Sequence, residues 1–163
     1  MLTPDAITTL LFVCHGNICR SPMAECRMAQ LLSEAGVTRY RVLSRATSTE
    51  ELGNPIYPPA RRTLEAHRVP MPPHRATRLS AADVDDGTLL VAMDRANIAN
   101  MLRLFPQEER DFVLRHSALL LAFDGEPNGE VDDPWYSDDF ASTWRDIDRG
   151  CRGLLRFLLD RQP

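Results

Sequence analysis

Lysine is absent: all 19 basic residues of the 163-residue chain are arginines. That excludes Schiff-base chemistry on a lysine amine, and any Walker A loop, whose motif needs its lysine. Long apolar runs are absent as well. No stretch approaches the roughly 18 to 20 consecutive apolar residues that span a bilayer. The opening residues, MLTPDAITT, carry neither the basic start nor the apolar core of a secretory signal, so a cytoplasmic location without membrane attachment is expected. Cysteine is sparse, at positions 14, 19, 26 and 151, with no CxxC pair and no Cys/His grouping at zinc spacing. Neither structural disulfides nor a bound metal are expected. A positive excess is missing too. The formal net charge is -4 and the sequence pI about 5.5, which argues against a nucleic-acid partner.

What is present is an ordinary globular composition, 44% hydrophobic and 26% charged, in a length that suits one domain over 1–163. Residues 7–13, ITTLLFV, read as a buried strand. Ser21-Pro22 predicts a helix start, and the helical spacing that follows stops at Gly36. Further strands are predicted at 40–46, 88–93 and 118–123. Helices are predicted at 59–68, at 94–105 with Asp94 as N-cap, and from about 139 onward. Strands alternating with helices imply an α/β fold: one three-layer domain, its four-stranded parallel sheet flanked by helices on both faces. Ligands in such sheets bind beyond the carboxyl ends of the strands. The first of those ends carries Cys14-His15-Gly16-Asn17-Ile18-Cys19-Arg20-Ser21.

A loop that joins a buried strand to a helix N-terminus offers peptide N–H groups without intrahelical partners, in a field that favours anions. Gly16 permits close backbone approach, and Asn17 tolerates left-handed geometry. The planar fork of Arg20 matches two oxygens of a phosphate. Cys14 opens the loop, so its sulfur points into the same cradle, where the field favours a thiolate. Such a loop holds a tetrahedral oxyanion and aims a nucleophile at its centre. Cys26 and Cys151 fall on apolar helical positions and read as core thiols.

The run Val13 to Pro22 closely resembles the phosphate-binding loop of the low-molecular-weight protein tyrosine phosphatases. Ala46-Thr47-Ser48 with Gly53-Asn54-Pro55, Ala92-Met93-Asp94 with Asn97, and Asp132-Asp133-Pro134-Trp135-Tyr136 resemble later stretches of that family, in the same order along nearly the whole chain. The resemblance implies a phosphotyrosine phosphatase with Cys14 as nucleophile, Arg20 as phosphate ligand and Asp133 as general acid and base. It implies substrate contacts from His15, Gly16, Asn17, Ile18, Cys19, Ser21, Glu50, Trp135 and Tyr136. It also implies a supporting network of Asn17, Ser21, Ser44 and His74, and a reversible Cys14–Cys19 disulfide under oxidation. No cofactor or metal is implied. The expected partners are a phosphotyrosine protein as substrate and inorganic phosphate as product and inhibitor, and the expected state is a monomer.

Two departures stand out. Glu50 takes a place where the family usually offers an aromatic wall, and Trp135 stands where tyrosine is common. Two rival readings share the fold. An arsenate reductase needs further resolving cysteines, and none lies between Cys26 and Cys151. Phosphoarginine phosphatases carry threonine where this chain has Ile18, whose branched apolar side chain suits a flat ring better than a guanidinium.

Overall fold

In a computed structural model, residues 2–160 are described. The first strand, β1 (Thr9–Cys14), is buried along its whole length, because its alternating side chains feed two cores. Leu10 and Phe12 face α1 (Arg20–Glu34), α2 (Pro58–Ala66) and the long closing helix α6 (Phe140–Leu159). Leu11 and Val13 face the other way, toward Met101 of α3 (Arg95–Leu102) and Val113 of α4 (Arg110–Arg115). With β2 (Arg41–Ala46), β3 (Thr88–Ala92) and β4 (Ser117–Leu119), the sheet runs β2-β1-β3-β4, all parallel. This is the four-stranded, three-layer α/β architecture the alternation implies.

The connection after β1 runs to one side of the sheet and the one after β2 crosses to the other. The order therefore reverses between β1 and β3, and a crevice opens at their carboxyl ends. Register keeps those ends level, since Val13 lies between Arg45 and Ala92. The loop after Cys14 and the residues after Ala92 are thus forced to be neighbours.

Several local expectations need correction. The helix start expected at Ser21 lies earlier: α1 begins at Arg20, with Cys19 in the cap position and no side-chain cap bond. The Ser21 hydroxyl is turned to the Cys14 sulfur instead. The far end follows the sequence, with Gly36 left-handed at φ 69° and Val37 N–H donating to the Leu32 carbonyl. The strand expected at 118–123 is cut to Ser117–Leu119, and Leu120–Asp124 winds into a 3-10 turn. This apolar run is buried by a helix rather than by sheet pairing. α6 crosses it closely, with Gly150 against Leu120 and Gly153 against the Phe123 carbonyl. Helix α4 has a single buried residue, Val113, too weak a period to read from sequence.

The close crossing makes Gly153 a decisive position. In an open helix, Gly→Ala gains about 0.5–1 kcal/mol. Here the added methyl runs into the backbone of Phe123, which cannot swing aside as a side chain can. Overpacking of this kind costs about 1–3 kcal/mol, so Gly153→Ala is expected to be net destabilising. A lower denaturation midpoint with unchanged slope checks this, and a raised midpoint contradicts it.

Candidate active site

The loop between β1 and α1 is held from outside by its carbonyl oxygens. Thr47 N–H donates to the Cys14 carbonyl (3.0 Å), Ser48 N–H and Oγ to that of His15 (3.1 and 3.0 Å), and Tyr57 N–H to that of Ile18 (2.9 Å). The His74 ring lies 2.7 Å from the Asn17 carbonyl. Among the described residues, no backbone carbonyl accepts from the N–H groups of residues 15–20. The loop therefore presents donors, as a phosphate cradle must.

Asn17 fixes the loop's shape. It is fully buried and left-handed, with φ 57°. Its amide nitrogen donates to Ser21 Oγ (2.8 Å) and Ser44 Oγ (2.9 Å), and its amide oxygen accepts from Thr77 N–H (3.1 Å). Thr77 acts here through its backbone, so its side chain carries no part of this contact. Ser21 in turn lies 3.0 Å from the Cys14 sulfur, which also accepts from Ser21 N–H at 3.4 Å. The four residues of the expected supporting network, Asn17, Ser21, Ser44 and His74, thus sit together behind the loop.

Arg20 is the buried charge of the site, 2% exposed. One guanidinium nitrogen is anchored twice, to Asp94 Oδ2 (2.7 Å) and the Val131 carbonyl (2.9 Å). The other reaches Asp133 Oδ2 at a longer 3.3 Å. Burial alone would lower the Arg20 pKa, but the Cys14 sulfur and the Asp133 and Asp94 carboxylates outweigh it and raise it. Asp133 also caps the one-turn helix α5 (Pro134–Ser137), accepting from Trp135 N–H at 3.1 Å. Pro134 holds Asp133 in extended geometry (ψ 111°), which aims its carboxyl back at Arg20.

A pocket open to solvent at its mouth gathers these parts. Cys14, Gly16, Ile18, Cys19 and Arg20 line it from the loop side and Asp133, Trp135 and Tyr136 from the acid side. A Cβ at Gly16 would stand 3.4 Å from Glu51 Cγ, an ordinary contact, and its φ is not positive, so neither the space nor the backbone here requires glycine. Glu50 and His15 meet across the rim at 3.0 Å, both well exposed.

Three neighbours of the site have no counterpart among the sequence expectations. Asp94 was legible only as a helix cap, yet it also anchors Arg20. Glu51 lines the pocket beside Glu50. Tyr57 packs its ring on Trp135, centroids 4.9 Å apart. Burial governs the remaining thiols. Burial, then the charges of Cys14 and Asp133, pushes Cys19 up to about 12. Burial does the same to Cys26, to about 12, and raises Cys151 too.

The sequence pattern of the family described as low molecular weight phosphotyrosine protein phosphatase matches residues 9–162. The low molecular weight protein-tyrosine-phosphatase PtpA of Staphylococcus epidermidis is 32% identical over 148 residues, 91% of this chain and 92% of that protein. YfkJ from Bacillus subtilis superposes with a TM-score of 0.83 at 29% identity, covering 92% of this chain and 93% of the other. SP-PTP, a low molecular weight protein tyrosine phosphatase from Streptococcus pyogenes, gives 0.80 at 29% identity over 95% of each chain. With the family pattern matched over residues 9–162 and relatives covering more than nine-tenths of its length, the chain belongs to the low molecular weight phosphotyrosine protein phosphatases, a family of hydrolases.

Proposed function

We propose that hydrolysis runs through a phosphocysteine on Cys14, with Asp133 as the proton carrier. The observation that carries this reading is the convergence on one pocket of a thiol, a ring of free N–H donors, a buried arginine and a carboxylate. The Cys14 sulfur attacks phosphorus in line. The bond to the phenolic oxygen breaks, and Asp133 gives that oxygen its proton. Water then attacks the phosphocysteine, its proton goes to Asp133, and the thiolate leaves with Ser21 Oγ 3.0 Å away to stabilise it. The loop N–H groups and Arg20 hold the three equatorial oxygens throughout and supply the positive field. Arg20 is pinned on its Asp94 side, so the more loosely held Asp133 side turns to the phosphate.

Ile18 lines the pocket with an apolar branch, which favours a phenyl ring over a guanidinium and supports phosphotyrosine over phosphoarginine. An arsenate-reducing relay would need mobile, accessible partner thiols, and Cys26 and Cys151 are both buried. A cytoplasmic monomer, with inorganic phosphate as product and competing ligand, is part of the same proposal.

Cys14→Ser is expected to abolish turnover while still binding phosphate, and acid quench of the parent with substrate should place phosphate on Cys14 by mass spectrometry. Asp133→Asn is expected to lower kcat/KM for phenyl phosphate, which reports phosphocysteine formation, by about 10²- to 10⁴-fold. The loss should shrink for esters whose leaving group needs no proton. Phosphate trapped on a histidine, or an equal loss across leaving groups, contradicts the mechanism.

Oxidation offers a second test. Peroxide, itself reduced to water, oxidises the Cys14 sulfur to a sulfenic acid. Cys19 then attacks it, forming the disulfide and releasing water. Cys19 is a thiol, pushed up to about 12 chiefly by burial. Its reactive thiolate fraction therefore rises about tenfold per pH unit from neutral to mildly alkaline conditions. Disulfide closure, followed by loss of sulfenic acid, is expected to accelerate with pH without a plateau below pH 9. Cys19→Ser should stay active but fail to recover with added thiol. A recovery equal to the parent's removes Cys19 from this role.

At the rim, Glu50 and Glu51 favour phosphopeptides with arginine or lysine beside the phosphotyrosine. Glu50→Gln is expected to raise KM for basic peptides a fewfold and leave kcat unchanged, because the contact acts equally on ground and transition states. An unchanged ranking of acidic, neutral and basic peptides counts against it.

A further inference from the structure

We infer that Tyr57, on the loop that enters α2, is a positioning residue for the proton carrier Asp133, acting through the ring of Trp135. The inference rests on the reading of Asp133 as general acid.

Asp133 sits at the cap of α5, which is a single turn of four residues. A helix that short has no stability of its own, since nucleation costs more than one turn returns. Something outside it must fix where the carboxyl points. On its upstream side the chain is tied down: Val131 N–H donates to the Met93 carbonyl (2.9 Å), and Thr143 Oγ1 donates to that of Asp132 (3.2 Å). Downstream, α5 ends at once on left-handed Asp138, φ 57°, and Tyr136 is 84% exposed. Pro134 is buried and Ser137 Oγ accepts from Asp139 N–H, and the half-exposed Trp135 supplies the ring contact next to Asp133. Its ring packs on Tyr57 at 4.9 Å with the planes tilted by 52°, and Tyr57 leans in turn on Phe140 of α6 at 6.2 Å.

Tyr57 is itself rigidly placed. Its N–H donates to the Ile18 carbonyl in the phosphate loop (2.9 Å), its carbonyl accepts from Arg61 N–H (3.0 Å), and Pro58 and Pro59 fix the chain beyond it. One residue therefore refers the acid to the loop that holds the phosphorus. Its backbone touches the cradle and its ring supports the acid's turn. An offset of about 1 Å between reacting groups costs on the order of 10²-fold in rate, so such a reference matters to catalysis. The role belongs to the ring: the Tyr57 hydroxyl has no hydrogen bond to either loop in this structure.

The test compares two esters, phenyl phosphate, whose leaving oxygen needs a proton, and 2,4-dinitrophenyl phosphate, whose leaving oxygen does not. Tyr57→Ala is expected to lower kcat/KM for phenyl phosphate, which reports phosphocysteine formation alone, by about tenfold or more, within the 10²- to 10⁴-fold that the acid itself supplies. The dinitrophenyl ester should change less than about twofold, and so should the inhibition constant of inorganic phosphate. Tyr57→Phe should restore both rates. In an Asp133→Asn background, Tyr57→Ala should cost nothing more, because its effect runs through that carboxyl. An equal loss for both esters, no loss at all, or failure of Tyr57→Phe to restore activity overturns the role. Asp133→Asn measured on the same two esters separates the outcomes. If it also shows no dependence on the leaving group, the acid assignment falls. If it does and Tyr57→Ala does not, only Tyr57 falls.

Discussion

A guanidinium that is almost wholly out of water has to be kept charged, and the geometry around Arg20 follows from that constraint. An isolated buried cation is costly, by several kcal/mol after relaxation. The fold answers with two carboxylates, Asp94 from the end of β3 and Asp133 from the late loop, plus the Val131 carbonyl. Asp94 can serve only because β3 lies beside β1 in the sheet, so that a residue 74 positions away in sequence meets the helix that begins at Arg20. Sheet order, loop chemistry and acid placement are thus one arrangement. The two ion pairs are unequal, 2.7 Å against 3.3 Å. The shorter one orients the side chain, and the longer one is the easier to exchange for a phosphate oxygen.

That exchange links binding to proton transfer in the mechanism proposed here. While Arg20 is paired with Asp133, the carboxylate is held by charge and by the Trp135 N–H. An arriving dianion takes over the arginine nitrogen that Asp133 held, which frees the carboxyl to face the leaving oxygen. The acid needs a rigid frame during this change of partners, which is where Val131, Thr143 and the Tyr57–Trp135 contact enter.

Much of this was legible in sequence because it is local. The strand ending in Cys14, the left-handed Asn17, the arginine at the helix start and the Asp-Pro step are all written in short stretches. What escaped was non-local. Asp94 carries a strong cap signal of its own, with Asn97 completing the capping box, and nothing adjacent reveals its second role at Arg20. Tyr57 and Trp135 lie 78 positions apart, and neither carries a period or motif that pairs it with the other. Ser21 misled in the opposite direction. A serine before proline is a good helix cap, but here the hydroxyl is drawn to the sulfur and to Asn17, and the helix starts without a side-chain cap. The apolar run after Leu119 reads as a strand because burial alone cannot distinguish sheet from helix cover. Only the glycines of α6 hint that a helix comes close.

A pocket made for a dianion is nevertheless ringed by Glu50, Glu51 and Asp133. Coulomb's law decides which of these matters to the phosphate. Two unit charges 4 Å apart interact by about 1 kcal/mol in water and about 4 kcal/mol at an effective dielectric of 20. Glu50 is 68% exposed and already meets His15, so its repulsion is screened and partly offset whenever that ring is protonated. The loop N–H groups and Arg20 lie at the bottom, where screening is weak and each contact counts for more. The field at the phosphorus is therefore set from below, by free loop N–H groups and by an arginine that gives up only its longer contact, to Asp133. In the mechanism proposed here, Glu50 and Glu51 at the mouth act on what stands beside the phosphotyrosine, whereas the deeper Cys14, Arg20 and Asp133 act on the phosphate.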